Sequence, residues 1–448
     1  MKEYDLFVIG TGMSGVTVAM KAAKKKLKVG IADFRPYGGT CALRGCDPKK
    51  ILIDVAKAKS SIGKYSGKGL EGDGQINWPE LMKFKRGFTD PVPDKMEKNY
   101  QKSGIDTYHA AASFLDENKL KVGEEEIIAK QIVIATGARP RTLSIPGAEH
   151  TITSDDFFHL EQLPESITFL GGGYVAFEFA HLAAKAGVKV TIIDRGEYPL
   201  KHFEKELVEH VLKASKAHGI EVVLNSEAAE VRKADGSFQV ITKGKEGEKI
   251  VESQLVVNAA GRVPEIDQLN LEKGKVEFDK KGIKVNEYLQ SISNSRVYAA
   301  GDVADSNGLP LTPVAVFEGH AVASNILKGN SKAPQYTEMP TVVFTIPPMA
   351  SVGLTEERAK ERNIEYEVTS GDASSWFNAY RSQAEAYAYK VLVSKEDGTI
   401  LGAHLVGPSA DETINLFALA MKAKIPAKTL QSMMYSYPSW ASDLSYMV

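Results

Sequence analysis

The pattern of apolar and polar positions near the N-terminus predicts a strand, a glycine-rich turn, a helix and a second strand. The apolar run from Asp5 to Ile9 leads into the turn GTGMSG, which is followed by VTVAMKAAKKK with helical spacing and by LKVGIAD. Residues 167–194, ITFLGGGYVAFEFAHLAAKAGVKVTIID, repeat this order. Because strands that alternate with helices form parallel sheets, the chain is predicted to contain two Rossmann-like α/β units.

The first glycine-rich turn has the spacing of a dinucleotide-binding motif. Gly10, Gly12 and Gly15 form G-x-G-x-x-G, and Asp33 ends the second strand roughly 20 residues further on. We expect Gly10 to permit the tight turn, Gly12 to let backbone N–H groups reach a pyrophosphate, and Gly15 to allow close packing of helix and strand. Asp33 would then accept hydrogen bonds from a ribose diol.

The second turn repeats the motif with one change. Gly171 and Gly173 hold the first two glycine positions, and Ala176 holds the third. Two dinucleotide motifs imply two nucleotides, and the simplest reaction that uses two is hydride transfer from a nicotinamide to a flavin. A second pair of similar segments, IVIATGARPR at 132–141 and VVNAAGRVPE at 256–265, supports an internal duplication.

The last part of the chain has a different pattern. After a strand that runs into Gly301 and Asp302, the sequence changes beyond Lys332 to PTVVFTIPPMASVGLTEE. Further on, YKVLVSKEDGTILGAHLVG alternates apolar and polar residues around an Asp-Gly turn, as in an antiparallel hairpin, and helical spacing follows around TINLFALAMKAK. The pattern predicts a separate α+β domain from about residue 336 to the end.

Composition and charge exclude several classes of function. The 448 residues are 43% apolar and 25% charged, with a formal net charge of -2, so neither nucleic acid nor an anionic membrane surface is an expected partner. The N-terminus MKEYDLFVIG does not have the pattern of a signal peptide, and no apolar run approaches the length of a membrane span. We therefore expect a cytoplasmic protein without a membrane partner.

Both cysteines of the chain lie in the stretch GGTCALRGCDPKK at 38–50. A permanent disulfide is not expected in a reducing cytosol, and a zinc site needs four ligands where only Cys41 and Cys46 are close in sequence. We therefore expect no metal. A redox-active pair is favoured over two incidental buried thiols by the glycine-rich frame and the following Pro-Lys-Lys.

These motifs, taken in order, resemble those of the pyridine nucleotide-disulfide oxidoreductases, the family of glutathione reductase, dihydrolipoamide dehydrogenase and mercuric reductase. The resemblance is carried by GTGMSG, GGTCALRGCDPKK, IVIATGARP, GGGYVAFEFA, AAGRVPE, VYAAGDVAD, LTPVAVFEGH and PTVVFTIPPMASVGLTE, and it spans nearly the whole chain. It implies FAD on the first unit, NADPH or NADH on the second, and a C-terminal domain that forms a homodimer. The fold class expected is α/β, with two Rossmann-like dinucleotide-binding domains and a C-terminal α+β dimerisation domain.

The expected domain boundaries follow from the same motifs. They are residues 1–145 for the FAD-binding domain, 146–264 for the NAD(P)H-binding domain, 265–335 for a central segment that completes the FAD domain, and 336–448 for the dimerisation domain.

The resemblance also assigns roles to the residues that match. Cys41 corresponds to the cysteine that exchanges with the substrate, and Cys46 to the one whose thiolate lies against the flavin. This agrees with general chemistry, because the thiolate is the attacking species and a helix start with two lysines lowers a thiol pKa. Lys49 and Glu178 resemble an ion pair beside the flavin, although Glu178 alone could be an exposed helical acid.

Other positions correspond to cofactor contacts. Tyr174 resembles an aromatic gate over the flavin, with a core tyrosine as the alternative, and Asp302 resembles the acid that holds the flavin ribityl chain. The expected cofactor-binding residues are Gly10, Gly12, Gly15, Asp33, Gly39, Thr40, Thr136, Gly137, Gly171, Gly173, Tyr174, Asp194, Arg195, Lys201, Gly261, Gly301 and Asp302.

The choice of nicotinamide depends on three charged residues. Asp194 ends a strand, where a carboxylate favours the free ribose hydroxyl of NADH. Arg195 and Lys201 correspond to the two basic positions that hold the 2′-phosphate in NADPH-dependent members. Because two cations stand against one acid, these residues favour NADPH, with NADH possible. The alternative interpretation is that all three are solvated surface charges that bind no cofactor.

The chain departs from the family at its C-terminus. Disulfide reductases of the family carry a His-Pro-Thr segment followed by a Glu, and this His–Glu pair protonates the leaving thiolate. In YSYPSWASDLSYMV, Tyr437 stands at the histidine position and Ser442 at the glutamate position, with Asp443 beside it. Tyrosine has an ordinary pKa of about 10 and is a poor proton shuttle at pH 7, and loss of an acid–base group costs roughly 10²–10⁴ in rate.

A second departure concerns the substrate. Met13, Met20 and His320 stand where glutathione reductases carry a Ser and two Arg for glutathione, and the extra cysteine pair of mercuric reductase is absent. We expect a reductase of a small-molecule or thiol disulfide that is not obviously glutathione, in which Tyr437, Asp443 or water supplies the proton. The alternative is a reductase of quinones or metal ions that uses the same flavin and dithiol. A flavin-binding sensor without turnover is disfavoured by the intact cysteine pair.

Overall fold

The computed structural model describes residues 1–72, 74–245 and 247–448. The chain divides into two compact units, each assembled from three sequence segments. Unit 1 contains Met1–Lys49, Lys83–Arg141 and Arg262–Tyr336, and unit 2 contains Lys50–Met82, Thr142–Gly261 and Thr337–Val448. The four domain boundaries expected from the sequence remain a prediction.

The helices are α1 (Met13–Lys24), α2 (Gly39–Arg44), α3 (Cys46–Tyr65), α4 (Trp78–Thr89), α5 (Val92–Lys102), α6 (Ser154–Phe157), α7 (Tyr174–Lys185), α8 (Lys205–Ala217), α9 (Thr312–Lys328), α10 (Glu356–Glu361), α11 (Phe377–Arg381), α12 (Ala410–Lys422) and α13 (Ala427–Ser432), with short 3₁₀ helices at Ala148–His150 and Trp440–Tyr446. The strands are β1 (Lys2–Ile9), β2 (Val29–Ala32), β3 (Ile105–Tyr108), β4 (Ala112–Asp116), β5 (Lys119–Val122), β6 (Glu125–Ile134), β7 (Ala138–Pro140), β8 (Ile152–Thr153), β9 (Ser166–Leu170), β10 (Lys189–Ile193), β11 (Ile220–Val223), β12 (Ser226–Ala234), β13 (Ser237–Gly244), β14 (Gly247–Ser253), β15 (Leu255–Asn258), β16 (Arg262–Pro264), β17 (Phe278–Asp279), β18 (Gly282–Lys284), β19 (Val297–Ala299), β20 (Ala304–Asp305), β21 (Thr341–Val343), β22 (Met349–Gly353), β23 (Tyr366–Asp372), β24 (Ala388–Ser394) and β25 (Ile400–Val406).

Unit 1 is built on a sheet with the order β3-β2-β1-β6-β5-β4, in which β19 also pairs with β6. Strands β3, β2, β1, β6 and β19 run parallel, whereas β4 and β5 form an antiparallel extension. Strand β1 is buried over its last four residues, which explains why it appears in the sequence as a continuous apolar run rather than an alternation. The predicted strand–turn–helix–strand order is therefore confirmed for the first unit.

Small residues let helix α1 pack closely in unit 1. Its buried face consists of Ser14, Gly15, Val18, Ala19 and Ala22. Lys21 and Lys24 in its last turn complement the negative end of the helix dipole. The helix thus carries a narrow face of small side chains toward the core.

Unit 2 contains a fully parallel sheet with the order β11-β10-β9-β15-β8, which confirms the second predicted α/β unit. It also contains an antiparallel sheet with the order β21-β22-β25-β24-β23. The hairpin predicted around the Asp-Gly turn is β24–β25, with Lys390 opposite His404. The predicted helix after it is α12, so the C-terminal α+β pattern is confirmed.

Within the described part of the chain, no helix is both long enough and apolar enough to cross a membrane.

Candidate active site and cofactor sites

The first glycine-rich turn has the geometry that its sequence predicts. Gly10 adopts a φ of +107°, and a Cβ on it would lie 2.3 Å from the carbonyl oxygen of Ala135. A Cβ on Gly15 would lie 2.1 Å from the carbonyl oxygen of Gly10, so helix α1 could not pack there with any larger residue. Around Gly12, by contrast, no heavy atom of the described chain lies within 4 Å of an added Cβ. The turn leaves open space at the N-terminus of α1, which fits a pyrophosphate.

Asp33 follows strand β2 and faces this turn. Its Oδ2 accepts hydrogen bonds from the backbone N–H of Thr11 at 2.9 Å and from the Thr11 hydroxyl at 2.7 Å, and its Oδ1 accepts from the Arg35 N–H at 3.0 Å. The carboxylate is therefore held in one orientation beside the glycine-rich turn. Thr11, which is completely buried, was missed in the sequence because it is one of the variable positions of the motif.

The second turn matches the first. Gly171 has a φ of +114°, and a Cβ on it would lie 2.6 Å from the carbonyl oxygen of Ala259. A Cβ on Gly173 would meet no heavy atom of the described residues within 4 Å. Ala176 is completely buried at the third position, so this turn accommodates the methyl group that the first turn excludes.

The two similar segments that follow the dinucleotide motifs meet in unit 1. Strand β7, in IVIATGARPR, pairs antiparallel with β16, in AAGRVPE, so that Arg139 lies opposite Val263. The Thr136 hydroxyl donates to the carbonyl oxygen of Glu265 at 2.6 Å, and the Glu265 N–H donates to the carbonyl oxygen of Gly137 at 2.9 Å. Gly137 and Gly261 both have positive φ, as turns after strands require.

The cysteine pair lies on two consecutive helices rather than in a loop. Cys41 is in the short helix α2, Gly45 interrupts the helix, and Cys46 is the first residue of α3. Pro48 falls in the first turn of α3. A Cβ on Gly39 would lie 2.5 Å from the Cα of Gly12, so the helix that carries Cys41 begins directly against the first dinucleotide turn.

The two thiols, both free in this structure, have different partners. The Cys41 thiol donates to Oδ1 of Asp47 at 3.9 Å, and the Cys46 sulfur lies 3.4 Å from the hydroxyl oxygen of Thr312, the first residue of α9. The sequence pattern did not indicate Asp47 or Thr312 as neighbours of the thiols. Thr312 belongs to the quoted motif LTPVAVFEGH, which could have indicated it.

This environment separates the two cysteines electrostatically. The hydrogen bond between the thiols lowers the pKa of Cys46 to about 6 against the opposing effect of burial, and Thr312 and the charge of Lys49 act in the same direction. The same hydrogen bond, together with burial and the negative charges of Cys46 and Asp47, raises the pKa of Cys41 far above its ordinary value. At neutral pH the pair therefore consists of a Cys46 thiolate and a Cys41 thiol.

Of the two lysines expected to lower the thiol pKa, Lys49 is among the main causes that lower the pKa of Cys46. Lys50 points elsewhere, because its Nζ lies 3.2 Å from Oδ1 of Asp54 and 3.5 Å from Oδ2 of Asp411. Consecutive side chains of a helix lie about 100° apart, and the effect expected from Lys50 on the thiol pKa stays a prediction.

Glu178 is a buried acid of helix α7 and not an exposed helical one. It is 2% exposed, and its Oε1 accepts a hydrogen bond from the Phe344 N–H at 2.8 Å. One turn further on, Nδ1 of the buried His181 accepts from the Ile346 N–H at 3.2 Å. Two backbone donors of one C-terminal segment therefore fix the face of α7. Since Lys49 belongs to unit 1 and Glu178 to unit 2, their pairing stays a prediction.

Tyr174 is the first residue of α7 and is 46% exposed, which excludes the alternative of a core tyrosine. An exposed aromatic ring at the N-terminus of this helix, next to the open space at Gly173, is compatible with the gating role that the family resemblance implies. That role remains a prediction.

The three residues that bear on nicotinamide choice lie beyond strand β10. Oδ2 of Asp194 would be 2.6 Å from a Cβ on Gly172, so the carboxylate lies against the second glycine-rich turn. The Arg195 guanidinium is largely exposed and lies 3.6 Å from Glu227, an exposed pair of little energetic value. Lys201 is exposed, and its Cε lies near Gly196.

Asp302 follows Gly301 after strand β19, where burial raises its pKa and the charge of Arg262 opposes the rise. The Gly301 N–H donates to Oε2 of Glu318 at 2.6 Å, and the hydroxyls of Ser306 and Tyr336 donate to Oε1, each at 2.6 Å. Glu318 is 1% exposed and anchors the Gly301–Asp302 turn. The sequence did not indicate Glu318 as a functional residue, because a single Glu within an apolar helix forms no recognisable motif.

The C-terminal segment presents Tyr437 to solvent. Its ring is 73% exposed and stacks on Phe377 with a centroid distance of 6.3 Å. Asp443 is 6% exposed, and its two oxygens accept hydrogen bonds from Asn378 at 3.0 Å and Tyr387 at 2.9 Å. Asp443 therefore anchors this segment, and the expectation that it could supply a proton to a substrate does not fit its burial.

His404 is a buried core histidine with a partner at each ring nitrogen. It is 1% exposed, and its ring nitrogens are within hydrogen-bond distance of the Ser351 hydroxyl at 2.7 Å and the Leu354 carbonyl at 2.9 Å.

Comparison with known proteins places this geometry in one family. Residues 4–319 match the pyridine nucleotide-disulphide oxidoreductases, and residues 339–448 match the dimerisation domain of the same family. The chain belongs to the pyridine nucleotide-disulphide oxidoreductase family. The family, the fold class, the enzyme class and the use of FAD with NAD(P)H, all expected from the sequence, are thereby confirmed.

The members of the pyridine nucleotide-disulphide oxidoreductase family that are similar to this chain include reductases with different names. The glutathione reductase of Burkholderia cepacia is 34% identical, over 98% of this chain and 97% of its own length. The mercuric reductase of Staphylococcus aureus is 30% identical, over 99% of this chain and 81% of its own length. A solved structure of the Cu(II) complex of the HOCl-induced flavoprotein disulfide reductase RclA from Escherichia coli superposes with a TM-score of 0.89, at 25% identity, over 100% of this chain and 99% of that one.

Proposed function

We propose that this enzyme passes electrons from NADPH through FAD to the Cys41–Cys46 pair and from there to a small-molecule or thiol disulfide. The observation that carries the proposal is the unequal state of the two thiols beside the first dinucleotide turn. A standing thiolate at Cys46 suits contact with a flavin, and a thiol at Cys41 suits exchange with a substrate. FAD supplies the two-electron chemistry between the nicotinamide and the dithiol.

The remaining residues are assigned roles on this basis. Gly12 and Gly173 leave room for the two pyrophosphates, Asp33 and Asp302 hold polar parts of FAD, and Lys49 with Glu178 orients the flavin side of the site. The predicted contacts from Gly39, Thr40, Thr136, Gly137, Gly261 and Gly301 complete the cofactor set.

We also propose that the active enzyme is a cytoplasmic homodimer. The match of residues 339–448 to a dimerisation domain supports the homodimer. The cytoplasmic location is supported by the chemistry, because a dithiol that is reduced by NADPH suits a reducing compartment. Sedimentation equilibrium across a range of protein concentrations tests the dimer, and a monomer at micromolar concentration would contradict it.

An acceptor panel tests the proposed function. The NADPH-reduced enzyme is mixed without oxygen with an aliphatic disulfide, an aromatic disulfide, a benzoquinone or Cu(II), and flavin reoxidation and NADPH consumption are followed. Disulfide reduction should disappear in both Cys41→Ser and Cys46→Ser. Failure of the wild type to reduce either disulfide would overturn the proposal.

The second candidate function is reduction of quinones or metal ions. Two observations favour it, namely the absence of histidine at Tyr437 and the similarity to a mercuric reductase and to RclA, which was solved as a Cu(II) complex. It predicts rapid reduction of a quinone or Cu(II) with slow disulfide turnover. Quinone reduction that persists in the Cys41→Ser variant would show that the flavin delivers electrons without the dithiol.

Variants of Tyr437 separate the two candidates further. Tyr437→His should raise turnover of an aliphatic disulfide partially, because Ser442 stands where the Glu partner would be. Tyr437→Phe should lower that turnover if the phenol donates a proton, and it should leave quinone reduction unchanged. If neither variant alters aliphatic turnover, Tyr437 only shapes the pocket.

A further inference from the structure

A carboxylate lies beside the sulfur that is assigned to substrate exchange. Asp47 is the second residue of helix α3 and is exposed to solvent, and its Oδ1 accepts the Cys41 thiol hydrogen bond at 3.9 Å. Cys46 has a different neighbour, the Thr312 hydroxyl at 3.4 Å. The structure thus gives an acid–base group to the thiol and a neutral hydroxyl to the thiolate.

The thiol–disulfide exchange reaction needs a proton-transferring group beside the Cys41 sulfur. Cys41 carries a proton that must leave when its sulfur attacks, and an aliphatic thiolate leaves poorly unless it receives one. The C-terminal segment has no histidine, and Asp443 is buried with both oxygens occupied. Among the hydrogen bonds of the described residues, the Cys41 sulfur has Asp47 as its carboxylate partner.

We propose that Asp47 is a catalytic acid–base residue of disulfide reduction. The inference rests on the proposed function and names a proton carrier for it. As the Cys41 sulfur attacks one sulfur of the substrate R–S–S–R′, the Cys41 proton moves to the Asp47 carboxylate. The bond between Cys41 and the R–S group forms, the S–S bond of the substrate breaks, and the leaving R′–S⁻ takes the proton from Asp47 as R′–SH.

The second exchange then needs no further proton from the enzyme. The Cys46 thiolate attacks the Cys41 sulfur, the Cys41–Cys46 disulfide forms, and R–S⁻ leaves and takes a proton from solvent as R–SH. The dithiol gives up two electrons and one proton, solvent supplies the second proton, and the substrate becomes two thiols, so atoms and electrons balance. Asp47 ends the cycle in the protonation state in which it began.

The negative charge of Asp47 has a second effect that provides a test. It contributes, after the hydrogen bond with Cys46, burial and the Cys46 charge, to the raised pKa of Cys41. The carboxylate therefore adds to the effects that keep Cys41 protonated at rest, which retains the proton for transfer. Its removal should make Cys41 a better nucleophile toward a reagent that needs no proton, and a worse catalyst toward a substrate that does.

The experiment compares Asp47→Asn and Asp47→Glu with the wild type. Asp54→Asn is the matched control, because Asp54 lies two turns further along the same helix and contacts Lys50 instead of a sulfur. Flavin absorbance and the charge-transfer band formed with NADPH establish that each variant is folded and loaded. Reoxidation by an aliphatic and by an aromatic disulfide is measured by stopped flow, and alkylation of Cys41 by iodoacetamide is measured in the reduced enzyme.

Asp47→Asn should slow reoxidation by the aliphatic disulfide roughly 10²-fold, the lower end of general acid–base effects, and leave the aromatic disulfide within about threefold. Alkylation of Cys41 should become several-fold faster in the same variant, and Asp47→Glu should recover much of the aliphatic rate. If wild type reduces both disulfides and Asp47→Asn slows neither, or slows exchange and alkylation together, Asp47 is not the acid–base. If wild type reduces no disulfide, the proposed function fails and this inference fails with it.

Discussion

At the scale of single residues, the cysteine motif indicated redox chemistry but not how the two thiols share it. The order of roles for Cys41 and Cys46 came from resemblance alone. The structure supplies the physical reason, because the hydrogen bond between the thiols favours a negative charge at Cys46 over one at Cys41, and the charge of Lys49 further lowers the pKa of Cys46. Thr312 is more than 260 positions away in sequence from Cys46, and no local pattern could have joined them.

The depressed pKa of Cys46 predicts a pH dependence. In the two-electron-reduced enzyme, the charge-transfer absorbance should be full above pH 7 and decline as pH falls through about 6, because the thiolate is then protonated. Thr312→Val removes the hydroxyl and should move the midpoint upward, whereas Thr312→Ser should retain it. Anaerobic absorbance titration measures the midpoint. A midpoint near 9 in the wild type would contradict the environment described for Cys46.

The preference between nicotinamides is also decided by single residues. We expect NADPH to be preferred, and Arg195→Ala with Lys201→Ala to narrow or invert the preference, since each charge-assisted contact to a 2′-phosphate contributes about 1.5–3 kcal/mol. The measurement is kcat/KM for NADPH and NADH in both proteins. Because Asp194 lies against the second glycine-rich turn, Asp194→Asn is the informative control. Equal ratios in wild type and the double variant would show that Asp194 dominates.

At the scale of elements, the two strand–turn–helix motifs could be predicted because backbone geometry requires glycine at Gly10, Gly15 and Gly171. The sequence pattern did not show that Cys41 and Cys46 lie on two helices interrupted at Gly45. A six-residue helix such as α2 is too short to show periodicity. Its stability comes from tertiary contacts, as at Gly39 against Gly12, which a sequence pattern does not report.

The third position of the two motifs offers a matched pair of substitutions. Gly15→Ala should disrupt the first unit and abolish FAD binding, because the new Cβ would lie 2.1 Å from a backbone oxygen that cannot move without the strand. Ala176→Gly, the reciprocal change in the second unit, should be tolerated at a cost of roughly 1 kcal/mol in unfolding free energy. Flavin content after purification and urea denaturation measure the two effects. Retention of FAD by Gly15→Ala would contradict the packing described.

At the scale of the whole molecule, the alternation of elements predicted two α/β units and a different C-terminal fold, and these are present. The sequence could not predict which distant segments share a polar network. In unit 2, Glu385, which precedes β24, lies 2.6 Å from His218 and 3.4 Å from Lys64. These contacts join it to the end of α8, which His218 follows, and to α3, which contains Lys64. Such pairs depend on three-dimensional placement, and each residue alone resembles a surface charge.

Glu385 makes the free energy of unfolding depend on pH in the acidic range. Burial raises its pKa, but the hydrogen bond and charge of His218 and the charges of Lys64 and Lys185 outweigh burial and lower the pKa to about 2. The stabilisation is therefore full above the ordinary value of 4.5 and is lost as pH falls from 4.5 toward 2. Glu385→Gln should flatten this part of the curve of urea midpoint against pH. The exposed Glu365→Gln is the control, and parallel curves for Glu385→Gln and wild type would refute the assignment.

The division of unit 1 into three sequence segments has a consequence for synthesis of the chain. Strand β6 ends at Ile134, but its partner β19 begins only at Val297, and residues 135–296 lie between them. At about 5–20 residues per second, a ribosome takes roughly 8–30 s to deliver the missing strand. During that time one edge of a buried parallel sheet has apolar side chains and unpaired backbone groups accessible to other chains. Production of the protein should therefore benefit from chaperones and low temperature.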